Sequence, residues 1–332
     1  MVFLIFFLLG ELQGGWSVKI KPVQYEWYVG EPIWIELEAE NLQEYDLDAP
    51  SKMGFIELNG RKCNNIYQKG ILPMTSKEEG EKEKEKKDPP GARLEISFEL
   101  NEICNDALKG AWWQNFEDDE FYGKHNICYV RKFKIVDRET IEYKLMEERF
   151  CDEIKIIYPA EGEDRDFYNK YIRRKNMNNV TMLSEDEKLK GISEYPTSRY
   201  IGWILDKFYN ILSYEMQIPK RKREMDLRFI YENNKKDIKE IMRVYALNGE
   251  KFLKKNKNHP LEQLINATIA YEFYYLNDLK KAKKYAEKAL LMEFPAFYKY
   301  FNYYPRNEII KIHKQNLEKL LEEIKNIYLT GY

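Results

Sequence analysis

The apolar residues of this chain change their spacing near Pro159, and this change constrains the fold more than any other feature. Before Pro159 they alternate with polar residues in short runs, as in IWIELEAEN over residues 33–41. Alternation places apolar side chains on one face of a half-buried strand. After Pro159 they recur at three- and four-residue spacing, the period of an amphipathic helix. The sequence therefore predicts a multidomain fold: a β-domain over residues 18–159 and an α-helical domain over residues 160–332.

Turn-forming residues separate the predicted strands. Gly30-Glu31-Pro32 interrupts the first alternating run, and Asn59-Gly60 is a strong hairpin signal because both residues tolerate positive φ. The predicted strands are residues 18–28, 33–41, 53–58, 61–67, 92–100, 127–136 and 152–159. Residues 76–88 (SKEEGEKEKEKKD) contain no apolar side chain, which predicts a solvated, mobile loop within the β-domain.

Four segments of the β-domain resemble a known family. The order YVGEPIWIELEAEN, PPGARLEISFELNE, FYGKHNICYVRKFKI and DEIKIIYPAEGEDRDFY is similar to bacterial extracytoplasmic immunoglobulin-like domains. The resemblance covers residues 18–159 and implies an N-terminal antiparallel immunoglobulin-like β-sandwich. It implies no activity, because such sandwiches carry many functions.

Residues 261–295 resemble one tetratricopeptide repeat. The residues that match the family are Ile269, Ala270 and Phe273 in the first helix, Asn277, Asp278 and Leu279 in the turn, Ala282, Ala286 and Ala289 in the second helix, and Pro295 at the end. Alanines at these positions let two helices approach closely. The resemblance implies a tetratricopeptide-like α-helical hairpin array. The helical spacing of the residues after Pro159 predicts helices at residues 164–176, 184–190, 198–215, 224–255, 260–276, 279–293 and 306–328.

The overall charge is nearly balanced. Lys plus Arg number 54 and Asp plus Glu number 56, which gives a net charge of −2. A balanced chain has no general attraction for nucleic acid or anionic membranes, so nucleic acid is not expected as a partner. Abundant Lys, Glu, Ile and Tyr are typical of proteins from thermophiles, and an AT-rich genome gives a similar excess.

The chain opens with MVFLIFFLL at residues 1–9. This run is too short to span a bilayer, which takes about 20 apolar residues, and it fits the apolar core of a signal peptide over residues 1–17. We therefore expect an extracytoplasmic protein, in the periplasm or at the cell surface, with no membrane span in the mature chain. The alternative is a buried first strand in a cytoplasmic protein.

Four cysteines, Cys63, Cys104, Cys128 and Cys151, all lie in the β-domain and form no C-x-x-C pair. This spacing does not support a zinc cluster or a redox motif. In an exported protein two disulfides are possible, with three connectivities that the sequence does not separate. Buried free thiols are the alternative.

No catalytic, cofactor-binding or metal-binding motif is present: H-E-x-x-H, G-x-S-x-G, a Walker loop and G-x-G-x-x-G are all missing from the sequence. We therefore predict no catalytic residue, no cofactor and no metal. His259 precedes Pro260, and His313 lies on a predicted amphipathic helix. Both are predicted to be surface histidines.

One candidate ligand loop contains Trp112, Trp113, Asp118 and Asp119. Acidic side chains beside indole rings suit a cation or the face of a sugar. The alternative is an edge loop whose tryptophans cover the sandwich.

A string of aromatic residues is the candidate partner surface: Phe297, Tyr298, Tyr300, Tyr303 and Tyr304. Tyrosine anchors interfaces at a low entropic cost. The alternative is core packing at the end of the repeat.

The sequence predicts a non-enzymatic exported protein that binds a protein or peptide in the cell envelope. An alternative function, from a different class, is that of an envelope enzyme or an enzyme accessory that acts on glycan or peptide through the loop of Trp112 and Trp113. A third is a structural component of the envelope.

Overall fold

The computed structural model describes residues 16–41, 54–63, 93–104, 122–136, 143–175, 179–205, 238–295 and 306–330. The apolar run at residues 1–9 and the charged segment at residues 76–88 lie outside these ranges, so the signal peptide and the mobile loop stay predictions. The described residues fall into two compact units. The strand unit contains residues up to Trp27 and Ile33–Ile156, and the helical unit contains Tyr28–Pro32 and the described residues from Ile157 onward.

The strands form two sheets. They are β1 (Trp16–Pro22), β2 (Glu26–Tyr28), β3 (Trp34–Asn41), β4 (Gly54–Leu58), β5 (Arg61–Lys62), β6 (Arg93–Glu99), β7 (Gly123–Val136) and β8 (Tyr143–Ile157). One sheet has the order β1-β3-β6 and the other the order β2-β8-β7-β4-β5. The pairs with a described register, β1–β3, β3–β6, β4–β5, β4–β7 and β7–β8, are all antiparallel.

Strand β3 shows why the sequence pattern produces a sheet. Ile35, Leu37 and Ala39 are buried, whereas Glu36 and Glu38 between them are only partly buried. The apolar residues of β3 lie opposite apolar residues of its neighbours, with Leu37 paired to Ile20 of β1 and Ile96 of β6. A shift by one residue would turn this apolar row to the opposite face, so the pattern fixes the register.

The Asn59-Gly60 turn joins β4 to β5 as the sequence predicts, with φ of +50° and +75° at the two residues. Strand β8 is longer than predicted. It begins at Tyr143, nine residues before the predicted start at Asp152, and pairs with β7 from Tyr143↔Val136 onward.

All four cysteines form disulfides, which excludes the free-thiol alternative and selects one connectivity. Cys63 pairs with Cys104, and Cys128 pairs with Cys151 directly across the β7–β8 ladder. Disulfides persist in oxidising compartments and are rare in a reducing cytosol. The two bridges are therefore compatible with an extracytoplasmic location.

Eight α-helical segments are described: α1 (Leu100–Ile103), α2 (Glu163–Phe167), α3 (Glu185–Glu194), α4 (Gly202–Leu205), α5 (Ile238–Lys255), α6 (Glu262–Tyr275), α7 (Leu279–Leu290) and α8 (Arg306–Thr330). A π-helical turn at Tyr168–Ile172 follows α2, and short 3₁₀ turns lie at Arg173–Lys175, Val180–Met182 and Arg199–Ile201. None of the helices in the described ranges is long and apolar enough to cross a membrane.

Helices α6 and α7 form a close pair joined by a tight turn. Asn277 has a φ of +64°, and the side chain of Asp278 caps α7 by accepting a hydrogen bond from the backbone N–H of Lys281 at 3.1 Å. Ala282, Ala286 and Ala289 are fully buried. In α6, every residue from Gln263 to Phe273 is buried. Since α6 is covered on all sides, it is the core of the helical unit; the immunoglobulin-like and tetratricopeptide-like assignments remain predictions.

The small alanines predict how α7 responds to added volume. Ala286→Leu should lower the free energy of unfolding by ~1–3 kcal/mol, because extra methylene groups in a packed core force the helices apart. Lys283→Leu, on the exposed side of the same helix, should leave stability almost unchanged. Urea unfolding followed by far-ultraviolet circular dichroism measures both. Equal midpoints for the two variants would contradict close packing at Ala286.

Candidate functional site

The site residues predicted from the sequence lie outside the described residues. This applies to Trp112, Trp113, Asp118 and Asp119, and also to Phe297, Tyr298, Tyr300, Tyr303 and Tyr304. Their proposed roles as a ligand loop and a partner surface therefore stay predictions. The described part of the helical unit offers a different candidate, a cavity beside the α6–α7 pair.

The cavity has a volume of about 290 Å³ and is bounded by α6, the end of α7, the segment after it, and α8; we call it the α6–α8 cavity. Among the described residues most of its wall is apolar, and the apolar lining residues are Ala289, Leu290, Met292, Phe294, Ile310 and Leu317. Its polar lining residues are Gln263, Glu293, His313 and Lys314. A mainly apolar concavity with a few convergent polar groups is the usual form of a ligand site.

The end of α7 shapes one wall. The backbone N–H of Met292 donates to the carbonyl of Ala289 at 3.3 Å, which tightens the last turn, and the chain then continues to Phe294. The side chain of Gln263 donates to the same Ala289 carbonyl at 3.1 Å. The terminal carbonyls of a helix have no intrahelical partner, so Gln263 caps α7 from α6 and is held at the cavity wall.

Hydrogen bonds fix the orientation of Gln263 and the tautomer of His313. Because the Ala289 carbonyl only accepts, the amide nitrogen of Gln263 faces it. The same nitrogen lies 2.9 Å from Nε2 of His313. Donation to Nε2 uses the second amide hydrogen, so His313 carries its proton on Nδ1.

The carbonyl Oε1 of Gln263 is left over. It is buried, and among the described residues it has no hydrogen-bond partner. A buried polar group without a partner costs about 1–3 kcal/mol. Because almost none of its surface is accessible, this oxygen is enclosed by the packing around Gln263 and is not open to the cavity.

His313 is buried, with 5% of its surface exposed, so the prediction of a surface histidine is wrong here. Burial lowers its pKa to about 3, and the imidazole is neutral at physiological pH. The ring lies 4.5 Å from that of Phe294, centroid to centroid. The sequence did contain a signal for burial, since His313 falls at helical spacing within the apolar stripe of Ile310, Leu317 and Leu320.

His259 is also buried, at 7% exposure, which corrects the second surface prediction. Its ring packs edge-on against Trp203 at 5.1 Å and Phe252 at 5.3 Å, and its Nδ1 accepts from the backbone N–H of Leu261. Desolvation, followed by the charge of Arg199, holds its pKa well below the usual value. His259 is therefore a neutral side chain packed in the core, where its ring is shielded from solvent.

His125 and Cys128 do not form a metal site. Cys128 is held in a disulfide, and the His125 ring contacts the side-chain amide of Asn59 at 2.8 Å. Within the described ranges, no group of three or more His, Cys, Asp and Glu side chains is placed to hold a metal ion.

A buried carboxylate in the helical unit, Glu31, is a second candidate for chemistry. It is fully buried and accepts from Nε of Arg199 at 2.7 Å, Nε1 of Trp203 at 3.0 Å and the backbone N–H of Tyr28 at 2.7 Å. Burial alone would lower the pKa of Arg199, but the charge and hydrogen bond of Glu31 outweigh it, and the net shift is upward. Since three donors use this carboxylate, Glu31 is an anchor of the fold.

Glu272 in α6 is the opposite case. It is 1% exposed, and among the described residues neither carboxylate oxygen has a hydrogen-bond partner. Desolvation raises its pKa well above the ordinary 4.5. The Glu272 carboxyl group is therefore a neutral acid within the core of the helical unit.

The Glu31–Arg199 pair makes a prediction about stability. Glu31→Gln should lower the free energy of unfolding by about 3 kcal/mol, because the guanidinium of Arg199 loses its counter-charge. We expect a loss of stability at the lower end of what breaking a buried ion pair costs, since 25% of the Arg199 side chain is exposed. Glu194→Gln removes the charge from the partly exposed 2.6 Å Lys170–Glu194 pair but keeps an acceptor for the Tyr171 hydroxyl, so it should change stability little. Urea unfolding compares the two, and equal losses would contradict the anchoring role.

Glu272 makes a prediction about pH. The pKa of Glu272 is higher in the folded state than its unfolded-state pKa of 4.5. Its contribution to the free energy of unfolding is therefore fully present below pH 4.5 and is lost as the pH rises toward the folded-state pKa. Glu272→Gln removes this dependence and should gain stability over the wild type as pH rises, by at most about 1.4 kcal/mol per pH unit.

Glu250→Gln is a control for which the change of stability with pH should have the opposite direction. Burial would raise the pKa of Glu250, but hydrogen bonds from Lys281 and Tyr285 outweigh it and lower the pKa. The Glu250 contribution is therefore present at neutral pH and lost as pH falls. Urea unfolding at several pH values measures both variants; parallel pH profiles for Glu272→Gln and the wild type would contradict a neutral buried acid.

Comparison with known proteins does not assign the chain to a family. No protein-family model, no curated protein and no solved structure matches it. The proposal below therefore depends on the chemistry of the α6–α8 cavity.

Proposed function

We propose that this chain is a non-enzymatic extracytoplasmic binding protein, whose helical unit takes a side chain of a peptide or protein partner into the α6–α8 cavity. The observation that carries the proposal is the cavity itself, which has a volume of about 290 Å³, is mostly apolar in its described wall, and includes Gln263 and His313 in that wall. A mainly apolar concavity with a few polar groups can bury an apolar side chain and fix its orientation.

The lining suits a side chain from a peptide. Apolar walls bury an apolar group, while Glu293 and Lys314 are exposed residues of opposite charge within the lining. Opposite charges at an accessible edge can interact with the polar backbone or neighbouring charges of a peptide, and they contribute more to specificity than to affinity.

The polar groups of the cavity favour binding over catalysis. A general base needs a free lone pair and a pKa near the working pH. The lone pair of His313 Nε2 is directed at the Gln263 amide, and burial holds the pKa of His313 at about 3. A histidine in this state orients neighbours and does not exchange protons at neutral pH.

The family resemblances support the same function. The α6–α7 pair has the buried alanines and the Asp278-capped turn expected of a tetratricopeptide-like unit, and stacked helical repeats provide concave binding surfaces. The two disulfides are compatible with the extracytoplasmic location. The partner is therefore sought among peptides and proteins of the cell envelope.

A pair of neighbouring residues at the end of α7 tests the proposal. Leu290 lines the cavity, whereas Leu291 is 89% exposed. Leu290→Trp should fill the cavity and abolish binding of short capped peptides that carry apolar or aromatic side chains. Leu291→Trp adds the same indole outside the cavity and should leave binding intact.

Nuclear magnetic resonance of labelled histidine rings provides the measurement, because His313 lines the cavity whereas His125 and His259 are not among its lining residues. Peptide binding should shift the His313 signals in the wild type and in Leu291→Trp. Peptides that bind Leu290→Trp as tightly as the wild type, or a peptide set that never shifts His313, would refute binding in this cavity.

A further inference from the structure

The two disulfides of the strand unit lie in opposite environments. Cys63 and Cys104 are buried, with 4% and 0% of their surfaces exposed, whereas Cys151 is exposed and Cys128 is half-buried. We propose that the Cys128–Cys151 bridge is a site of thiol–disulfide exchange, where a dithiol reductant attacks the Sγ of Cys151, and that the Cys63–Cys104 bridge is purely structural. This inference is independent of the proposed binding function, since it concerns only the strand unit.

Strand alternation places the Cys128–Cys151 bridge on the polar face of the five-stranded sheet. In β8, Ile154 and Ile156 are buried. Successive side chains of a strand point to opposite faces, so Cys151 and Glu153 lie on the other face of β8. On this face Glu153 forms an ion pair with Lys124 of β7 at 2.9 Å, and 67% of the Lys124 side chain is exposed. The bridge therefore lies on a face of the sheet that is in contact with solvent.

The path of attack on Cys151 is open among the described residues. A thiolate attacks one sulfur of a disulfide from the side opposite the sulfur that leaves, so it reaches Cys151 from the side of β8 that faces away from β7. The neighbour on that side, β2, is only three residues long and lies beside the end of β8, where the backbone N–H of Lys155 donates to the Tyr25 carbonyl at 2.8 Å. The chain before Tyr25 turns to the other sheet, where the N–H of Val23 donates to the Trp34 carbonyl. Strand β2 thus leaves Cys151 uncovered, which agrees with the exposure of Cys151.

The corresponding path to Cys128 is occupied. It would come from the side of β4, and Glu57 lies directly opposite Cys128 in the β4–β7 ladder. Side chains of directly opposed residues share one face of a sheet and lie close together. Glu57 is 8% exposed and accepts from Nη1 of Arg149 at 2.6 Å. A buried, ion-paired side chain excludes the reagent, and its carboxylate repels a thiolate. Attack is therefore directed to Cys151, and Cys128 is the sulfur that leaves.

The exchange is balanced with a dithiol as co-reactant. One thiolate of the dithiol forms a bond to Sγ of Cys151 as the Cys128–Cys151 bond breaks, and Cys128 leaves as a thiolate and takes up a proton. The second thiolate of the dithiol then attacks the dithiol sulfur of this mixed disulfide, and Cys151 leaves and is protonated in turn. The protein gains two electrons and two protons, and the dithiol is oxidised to a disulfide.

The strand pairing does not need the Cys128–Cys151 bridge. These two residues lie opposite each other in the β7–β8 ladder, which continues on both sides of them, so backbone hydrogen bonds hold the hairpin and keep the two thiols opposed after reduction. The other bridge differs. Cys63 follows β5 of the five-stranded sheet, and Cys104 follows α1, directly after β6 of the three-stranded sheet. The Cys63–Cys104 bridge therefore links the two sheets.

Limited reduction of the folded full chain tests the site. Dithiothreitol is the dithiol; samples are quenched with acid and alkylated with N-ethylmaleimide, and peptide mass spectrometry measures each cysteine. We expect Cys128 and Cys151 to be alkylated together, at least about tenfold faster than Cys63 and Cys104, because exposed disulfides are the labile ones. The circular dichroism spectrum should stay native. Equal rates for the two bridges, or alkylation only as the native spectrum is lost, would overturn the proposal.

Reduced glutathione, which has a single thiol, tests which sulfur is attacked. After acid quenching we expect glutathione bound to Cys151 and N-ethylmaleimide bound to Cys128; the reverse would overturn the assigned path. Glu57→Ala opens the path to Cys128 and should raise the share of glutathione found there. Glu147→Ala, which removes the other ion-pair partner of Arg149, should not raise it. The wild-type result is decisive by itself if a variant does not fold.

Paired alanine variants test whether the reduced protein keeps its fold. The double substitution of Cys128→Ala and Cys151→Ala should keep a native circular dichroism spectrum. The double substitution of Cys63→Ala and Cys104→Ala should lower the Tm more, because it removes a buried bridge with the longer sequence separation, 41 residues against 23. An unfolded Cys128/Cys151 variant, or an equal loss of Tm in the two variants, would show that the exposed bridge is structural and would overturn the proposal.

Discussion

The buried carboxylate of Glu31 lies where the helical unit takes up the segment Tyr28–Pro32. Arg199, Trp203 and the backbone of Tyr28 all donate to it, while the hydroxyl of Tyr200 donates to the Val29 carbonyl at 2.5 Å. A charge without water is tolerated only when its partners are in place. The carboxylate therefore links the 3₁₀ turn at Arg199–Ile201, the start of α4 and the turn at residues 28–32, and the Trp203 ring that donates to it also packs against His259.

The same requirement, that buried polar groups be paired, separates the structural residues from the candidate functional ones. Glu31 has every oxygen occupied, so it stabilises the fold. Glu272 has no partner among the described residues and is accommodated as a neutral acid. Gln263 is a third case: its amide hydrogens are used, while its buried Oε1 has no hydrogen-bond partner among the described residues. Of these three residues, Gln263 is the one that lines the α6–α8 cavity.

Capping residues and short-range apolar spacing correctly predicted the helices that depend on contacts between residues close together in the sequence. Helices predicted at residues 260–276 and 279–293 correspond to α6 and α7, because the Asp278 cap and the alanine spacing act within a few residues. The first half of β8 was missed. Its sequence, YKLMEERF, has no β-branched residue and contains good helix formers, and it becomes a strand through pairing with β7. Long-range pairing here overrides local propensity.

By itself the sequence determined the order of strands and helices, the position of tight turns such as Asn59-Gly60, and the polar–apolar alternation that sets the register of β3. It contained a partial signal for the site, since His313 lies on the apolar stripe of α8. Tertiary structure alone decided the pairing of Cys63 with Cys104, the burial of Glu31 with Arg199, and the approach of Gln263 to Ala289 and His313. These contacts join residues 26 to 168 positions apart along the chain. Periodicity and capping report only on neighbours within a few residues, whereas a buried charge or an unmet acceptor is defined by what packing brings to it from far along the chain.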